Sequence, residues 1–228
     1  DLPKEMDYDL LLPTDNVSSG FDNLADTLFV SPVTLERYMN AARKISRIAV
    51  GDPEMGVLVN VFTTSLREPQ EARNPKLPFG TQGGVALDTY FPLDGEYDFE
   101  VEIGQALPEP HQLEITIDGR RHELVPLEGA RARVGRARRS TKQFRLAIPA
   151  GPRTVGVTFL ERSQALSEAP LRPPARRRGE LPSVARVTIG GPYNITGPGD
   201  TPSRRRIFVC QPLGPQDELL CAQRILRN

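Results

Sequence analysis

The order of hydrophobic and polar positions divides the chain into a short helical part and a longer part with the period of β-strands. Apolar residues recur at spacings of three and four over residues 35–49, which is the period of one helix face. Ser31 and Pro32 precede this stretch as an N-cap and a first helical residue, and Gly51 follows it. The pattern predicts a helix over about residues 31–49.

From residue 56 onward, apolar and polar positions alternate, with turn-forming residues between the alternating stretches. The clearest strand covers residues 95–103, and the clearest hairpin turns through Asp118 and Gly119. Further strands are predicted at residues 57–61, 85–91, 113–117, 122–125, 144–148, 154–160 and 184–189. This pattern predicts a mainly β fold, a jelly-roll-like β-sandwich over about residues 56–195. A short C-terminal helix is predicted over residues 217–226.

Several segments lack a long hydrophobic period. Residues 1–20 are rich in Asp and predict an extended lead-in whose order would have to come from packing. A short helical turn is predicted at residues 22–28. Residues 129–142 and 161–182 contain several arginines and few large apolar side chains, so each buries too little apolar surface to order on its own. We interpret these two segments as surface loops.

The charges balance over the whole chain but not between its halves. The 228 residues carry 29 Lys plus Arg and 29 Asp plus Glu. Residues 1–130 hold 10 basic and 23 acidic side chains, whereas residues 131–228 hold 19 basic and 6 acidic ones, so we expect the halves to attract each other. The arginine runs lack interleaved aromatic residues and a zinc or helix-turn-helix pattern, which predicts no nucleic-acid partner. No apolar run is long enough to span a membrane.

No nucleophile, general base or cofactor motif can be named in the sequence. His111 and His122 flank the predicted hairpin without a Cys or Ser partner in a recognisable nucleophile motif, and we expect both to face solvent. An enzyme is therefore the least favoured class of function. No cofactor is expected in this segment, with calcium left open.

Five acidic residues alternate along the predicted strand and share one of its faces: Asp94, Glu96, Asp98, Glu100 and Glu102. The favoured interpretation is an exposed face whose charge is neutralised by arginines from the basic half of the chain. The alternative is a calcium site. Its best ligands would be Asp94, Glu96 and Asp118, because carboxylates near loops can converge where a row along a strand cannot.

The two cysteines, Cys210 and Cys221, lie eleven positions apart. The turn-forming residues between them allow the chain to reverse, so that residues 207–210, which we expect to be strand-like, would meet the helix that contains Cys221. We predict a disulfide, which would favour an oxidising compartment. Two free buried thiols are the alternative. A metal site and a c-type haem are not favoured, because the required ligand spacings are absent.

Several stretches together resemble the large exported cytochrome c-containing proteins catalogued in planctomycetes and related bacteria. The stretches are residues 20–23, 35–38, 91–97, 151–157, 187–192, 197–210 and 221–226. The resemblance implies that residues 1–55 are a helical segment, the tail of a domain of unknown function. It implies that residues 56–203 are a β-sandwich similar to calcium-dependent xylan-binding carbohydrate-binding modules. Residues 204–228 would be a linker and the beginning of the next helical domain.

The resemblance implies a non-catalytic module, with polysaccharide as its candidate ligand, inside a larger exported c-type cytochrome protein of the periplasm or extracellular space. A structural or protein-interaction spacer with no small ligand, held to its neighbouring domains, is the alternative. The sequence departs from the calcium-dependent modules where they carry Asp and Asn, offering Glu161-Arg162-Ser163 and then the arginines of residues 176–178. It also has no Trp to form a sugar platform.

Overall fold

The computed structural model describes residues 31–64, 70, 73–104, 110–129, 140–160 and 182–227. The fold is a sandwich of two antiparallel sheets with a helix on its N-terminal side and short helices on its C-terminal side. This confirms the predicted fold class. The elements are α1 (Pro32–Val50), β1 (Leu58–Thr63), β2 (Thr81–Phe91), β3 (Asp94–Ile103), β4 (His111–Ile117), β5 (Arg120–Leu127), β6 (Thr141–Ile148), β7 (Gly151–Leu160), β8 (Val184–Gly197), α2 (Pro202–Ile207) and α3 (Glu218–Leu226).

Each sheet has four strands. The first has the order β1-β8-β3-β6 and the second has the order β2-β7-β4-β5. All neighbouring strands are antiparallel. The last strand, β8, lies between β1 and β3, so the first sheet is built from segments far apart in the sequence.

The core between the sheets follows from the two-residue period of the strands. In β3, Tyr97, Phe99, Val101 and Ile103 are buried, and the acidic residues between them point to the other face. The opposite sheet contributes the buried apolar residues Leu113, Ile115, Ile117, Val155, Val157 and Phe159. The Tyr97 hydroxyl donates to the Leu93 carbonyl at 2.8 Å, and burial raises the pKa of Tyr97. The core is therefore apolar, with its one phenol hydrogen-bonded.

Helix α1 begins and ends where its sequence signals are. The Ser31 hydroxyl accepts a hydrogen bond from the Thr34 amide at 3.1 Å, and Pro32 occupies the first helical position. At the other end, Gly51 adopts φ +63°, the left-handed conformation that glycine accommodates without strain. The predicted helix over residues 31–49 is thus confirmed to within one residue at each end.

A second, smaller core holds the end of α1 to the sandwich. Ile48 of α1 packs with Met55, Tyr90 and Leu93, the last two of which come from the end of β2 and the β2–β3 turn. At Gly51 the backbone lies so close to its neighbour that an added Cβ would stand 2.9 Å from the Pro198 carbonyl oxygen. The C-terminal half of α1 is anchored here.

The segment after β8 differs from the prediction. Residues 207–210 are expected to be strand-like, but the chain instead forms α2, and no regular structure follows it before residue 213. Thr201 and Pro202 supply the same start signal as the pair at the beginning of α1, with the Thr201 hydroxyl accepting from the Arg204 amide at 3.2 Å. The three arginines that follow hide this signal, because they give no apolar periodicity.

Several expectations lie outside the described residues. These are the lead-in at residues 1–20, the helical turn at 22–28 and most of the loops at 129–142 and 161–182. The C-terminal helix predicted over 217–226 is α3, which a short 3₁₀ turn over Pro215–Asp217 precedes.

Candidate functional site

The acidic row lies on the outer face of β3, as predicted. Asp94, Glu96, Asp98, Glu100 and Glu102 alternate with buried core residues, and each is exposed or half-buried. Because β3 lies between β8 and β6, both neighbouring strands present side chains to the row.

Arg145 of β6 neutralises the middle of this row. It lies directly opposite Asp98 in the register, and its guanidinium donates from Nε to Oδ1 at 2.5 Å and from Nη2 to Oδ2 at 2.8 Å. The same guanidinium is 3.8 Å from Glu96 and packs over the ring of Tyr193 at 4.5 Å from its centroid. Hydrogen bonding to Arg145 holds the pKa of Asp98 below its usual value.

The remaining carboxylates have partners on the same two strands. The Asn194 amide donates to Glu96 at 2.6 Å, and the Gln143 amide donates to Glu100 at 2.8 Å. Arg186 lies 3.9 Å from Glu102. Arginines from the basic half of the chain therefore neutralise Glu96, Asp98 and Glu102, as the favoured interpretation expects, whereas Glu100 accepts a hydrogen bond from a neutral amide.

The structure does not bring the candidate calcium ligands together. Asp94 accepts a hydrogen bond from the Ala150 amide at 2.6 Å, and Glu96 is engaged by Asn194 on the first sheet. Asp118 belongs to the β4–β5 turn of the second sheet, where it accepts from the Thr154 amide at 2.9 Å. Among the described residues, no three His, Cys, Asp or Glu side chains form a group that could hold a metal ion. The hydrogen bonds of these carboxylates hold turns and paired strands together.

Neither histidine belongs to a described catalytic or metal-binding group. His122 on β5 is exposed, as expected, whereas His111 at the start of β4 is half-buried. The segment between them forms the predicted hairpin, with Asp118 at φ +51° and Gly119 at φ +77°.

The outer face of the second sheet contains buried polar groups that the sequence pattern does not reveal. Glu114, Thr116 and Thr158 are only 3%, 1% and 0% exposed. Arg121 donates to Glu114 Oε1 at 2.6 Å, while Glu114 Oε2 and Thr116 Oγ1 have no hydrogen-bond partner. Alternation places these residues away from the core and so predicts exposure. Leu77, from a segment distant in sequence, is buried and lies with Thr116 over Gly156 on this face.

The cysteine prediction is confirmed by the structure. Cys210 and Cys221 form a disulfide with their Cα atoms 5.4 Å apart. Cys221 is the buried residue of α3, so the bridge ties that helix to the segment that leaves α2.

Two further surface features could bind a partner. A groove of about 250 Å³ runs between α1 and the start of β1, with Arg43, Lys44 and Arg47 on its rim and Ile48 and Met55 in its floor. Phe79, in the segment before β2, is 84% exposed, and the Arg73 guanidinium lies 3.8 Å from its ring centroid.

No helix in the described part of the chain is long and apolar enough to cross a membrane.

The described residues form a sandwich of two antiparallel β-sheets. The model of a family described as "PSD3: Protein of unknown function (DUF1587)" matches residues 2–51. No curated protein matches the chain.

Among solved structures, CBM35 from Paenibacillus barcinonensis aligns with 60% of this chain and 93% of its own, at 13% identity and a TM-score of 0.33. An uncharacterised Listeria monocytogenes EGD-e protein, solved with glucose, magnesium and calcium, aligns at 15% identity and a TM-score of 0.28. A cycloalternan-forming enzyme from Listeria monocytogenes, solved with a pentasaccharide substrate, gives the same values. The chain spans 11% of each Listeria protein. These likenesses concern the fold alone.

Proposed function

We propose that this chain is a non-catalytic β-sandwich module that holds the domains before and after it in a fixed arrangement within a larger exported protein of the c-type cytochrome kind. The observation that carries the proposal is a contact between the segments that enter and leave the sandwich. Arg204 of α2 donates from Nη1 to the Val50 carbonyl at the end of α1. We call the contacts among α1, the β2–β3 turn and α2 the helix junction.

The helix junction combines apolar and polar contacts. Ile48 packs into the small core with Tyr90 and Leu93, and the Tyr90 hydroxyl lies 3.0 Å from the Ser203 hydroxyl of α2. The Val50 carbonyl belongs to the last turn of α1, where carbonyls lack intrahelical donors, so a guanidinium there satisfies an acceptor and complements the helix dipole. Such a junction limits the motion of the incoming helix relative to the outgoing chain.

The proposal is tested by measuring the distance between two spin labels in the oxidised protein. Labels on non-cysteine handles at the exposed positions Asn40 of α1 and Gln223 of α3 leave the disulfide intact. We expect one narrow distance distribution, broadened by Arg204→Met. Arg205→Met is the matched control, because Arg205 is on the same helix and pairs only at the surface with Asp200, at 3.0 Å. A broad distribution in the unsubstituted protein would show that the junction does not fix the two ends.

Polysaccharide binding is a second candidate, and the exposed ring of Phe79 is the observation that favours it. Sugar sites commonly use an aromatic side chain for the apolar face of the ring and a few polar groups for orientation. One face of Phe79 is covered by Arg73, and the 84% exposure of the residue leaves the other side accessible. Calcium, which takes oxygen ligands, stays a prediction for this candidate.

Affinity electrophoresis through gels containing soluble polysaccharides, with xylan first, tests this second candidate. We expect retarded migration that Phe79→Ala abolishes and Leu213→Ala preserves, since Leu213 is a comparably exposed apolar residue at 97%. Each gel is run with millimolar calcium and with a chelator, so retardation in calcium alone would support the calcium prediction. Unretarded migration in both conditions, or equal retardation of Phe79→Ala, would remove the candidate.

An exported location is also proposed, and the disulfide supports it. Structural disulfides persist in oxidising compartments and are rare in the cytosol. Thiol trapping in intact cells, followed by fractionation, should find Cys210 and Cys221 blocked to alkylation in the envelope or secreted fraction. Alkylation of both cysteines in the native cell would contradict an oxidising location.

A further inference from the structure

Four strands form the edges of the two described sheets: β1, β6, β2 and β5. An edge strand presents unpaired backbone groups, and natural proteins usually protect it with charged residues, proline or a bulge. β6 carries Lys142 and Arg145, β5 carries Pro126, and β2 pairs with β7 through a bulge after Gln82. Among these described edge strands, β1 alone has none of the three protections. Its sequence is Leu-Val-Asn-Val-Phe-Thr, and its register with β8 is uninterrupted.

The outer face of β1 is also apolar. Val57, Val59 and Val61 are spaced by two residues, so they share one face, and they are 47%, 61% and 56% exposed. The residue opposite Val59 on β8 is Gly190, which has no side chain to cover it. We call these three valines the β1 valine row. A strand that extends the first sheet beyond β1 would gain apolar contacts on this face in addition to backbone hydrogen bonds.

The groove of about 250 Å³ lies at the N-terminal end of the β1 valine row, because residues at the start of β1 are part of its lining. Of the three basic residues on its rim, Arg47 is paired with Asp52 at 3.2 Å. Arg43 donates to the neutral side chain of Asn40 at 3.4 Å. Within the described part of the chain, neither Arg43 nor Lys44 is paired with a carboxylate. Two exposed cations are therefore available to a carboxylate from a partner.

We propose that β1 and the groove bind an acidic segment of a partner protein in an extended conformation. The segment runs antiparallel to β1 and adds a strand to the first sheet, so that alternate apolar side chains lie on the β1 valine row. Its next residues are acidic and lie over the groove, beside Arg43 and Lys44. In such strand addition, backbone hydrogen bonds supply affinity and the alternate side chains supply specificity.

A second copy of the chain fits this surface less well than an acidic segment. Two β1 strands paired antiparallel would bring the Thr63 end of each strand to the groove of the other. Arg186 lies opposite Thr63 in the register, is 50% exposed, and is 3.9 Å from Glu102, which is long for an ion pair. Basic side chains would then approach each other, and like charges disfavour such a contact.

The probe is a labelled peptide with the sequence Thr-Val-Thr-Val-Thr-Val-Asp-Glu-Asp, whose binding to the full chain is followed by fluorescence anisotropy. We expect saturable binding that weakens as salt is added, and slower hydrogen exchange of β1 amides in the bound state. A peptide that ends in Lys-Arg-Lys in place of the acidic residues should not bind. Proline in place of the second valine should weaken binding on the order of tenfold, because proline lacks the backbone donor that the ladder requires.

Two pairs of variants test the two parts of the surface. Arg43→Gln should weaken binding of the acidic peptide about threefold at low salt, because one ion pair is lost. Arg120→Gln removes the same charge from the exposed start of β5 and should leave binding unchanged. Val59→Thr should also weaken binding about threefold, because apolar contact is lost. Val209→Thr, at a 39% exposed position outside the sheets, is its matched control.

Several results would overturn the proposal. Absence of saturable binding would do so, as would equal binding of the basic-tailed or the proline-containing peptide. Equal effects of Arg43→Gln and Arg120→Gln would remove the basic rim from the contact, and equal effects of the two valine substitutions would remove β1. A dimer of the chain that protects the β1 amides without any peptide would show that a second copy is the occupant instead.

Discussion

At the scale of single residues, the two buried threonines on the outer face of the second sheet form a natural comparison. Thr116 is 1% exposed and its hydroxyl has no hydrogen-bond partner, whereas Thr158 is 0% exposed and its hydroxyl donates to the Gly83 carbonyl at 2.7 Å. The main difference between the two threonines is whether the buried hydroxyl has a hydrogen-bond partner. An unsatisfied buried polar group costs free energy that a satisfied one does not.

We therefore expect opposite results from the same substitution at these positions. Thr116→Val should leave the free energy of unfolding unchanged or raise it by about 1 kcal/mol, because it removes an unpaired hydroxyl without changing the side-chain shape. Thr158→Val should lower it by about 1 kcal/mol, because it leaves the Gly83 carbonyl without its donor. Urea unfolding of both variants measures the difference. Equal destabilisation would mean that Thr116 is hydrogen-bonded in solution.

Asp98 and Arg145 make a second prediction at this scale, one that depends on pH. Replacing Arg145 by Gln should raise the pKa of Asp98 towards that of an unperturbed carboxyl, since hydrogen bonding to the guanidinium is the main cause of its lowering. Carbon-13 NMR titration of the Asp98 carboxyl measures this. Lys76→Gln is the control. Lys76 lowers the pKa of Asp88 on the other sheet, so its replacement should leave the pKa of Asp98 unchanged.

The sign of the stability effect follows from the direction of the pKa shift. A carboxyl whose pKa is lower in the folded protein stabilises it above the unfolded pKa, and this contribution is lost as the pH falls through the folded value. The difference in urea midpoint between the unsubstituted protein and Arg145→Gln should therefore be present at neutral pH and disappear in acid, as the pH falls through the lowered pKa of Asp98. A difference that persists in acid would indicate packing of Arg145 on Tyr193 as its source.

At the scale of elements, α1 and β3 are predictable from the sequence because their signals are local. The Ser31-Pro32 start, the Gly51 stop and the alternation along β3 each act within a few residues. Other features depend on pairing between distant segments. The attachment of Asp94 to Ala150, and the covering of Glu114, arise only when separate strands and turns meet. The sequence could not show for this reason whether Asp94, Glu96 and Asp118 converge; they form no metal-holding group among the described residues, and calcium binding stays a prediction.

The N-cap of α1 gives a prediction about this element alone. Ser31→Ala should lower the local stability of α1 by about 1 kcal/mol, because the Thr34 amide loses its acceptor. Faster hydrogen exchange in the first turns of α1, with the strands unchanged, is the expected readout. Ser46→Ala is the control: the Ser46 hydroxyl bonds back to the Ala42 carbonyl on an exposed face, and Ala is the better helix former. In Ser46→Ala, we expect hydrogen exchange in α1 to be slower or unchanged.

At the scale of the whole molecule, the disulfide joins α3 to the segment that leaves the helix junction. Replacing both Cys210 and Cys221 by Ser should destabilise residues 208–227 by roughly 3 kcal/mol in the chain-entropy model, because a loop of about a dozen residues is no longer closed. Hydrogen exchange should rise throughout α3 and stay constant in the two sheets. The matched comparison is hydrogen exchange in the unsubstituted protein after its disulfide has been reduced. Global unfolding on reduction would show that the stability of the sandwich depends on the disulfide-bonded α3.

The position of β8 has a consequence for how the chain folds during its synthesis. Among the strands that the structure describes, β1 pairs with β8 alone, and Thr63 meets Arg186 across that ladder. During synthesis β1, a strand without a charged residue, must wait unpaired until β8 has emerged. At about 5–20 residues per second this wait is on the order of ten seconds. β3 and β6 can pair before β8 is made, but β1 cannot join the first sheet until then, so protection of β1 by a chaperone is most needed in that interval.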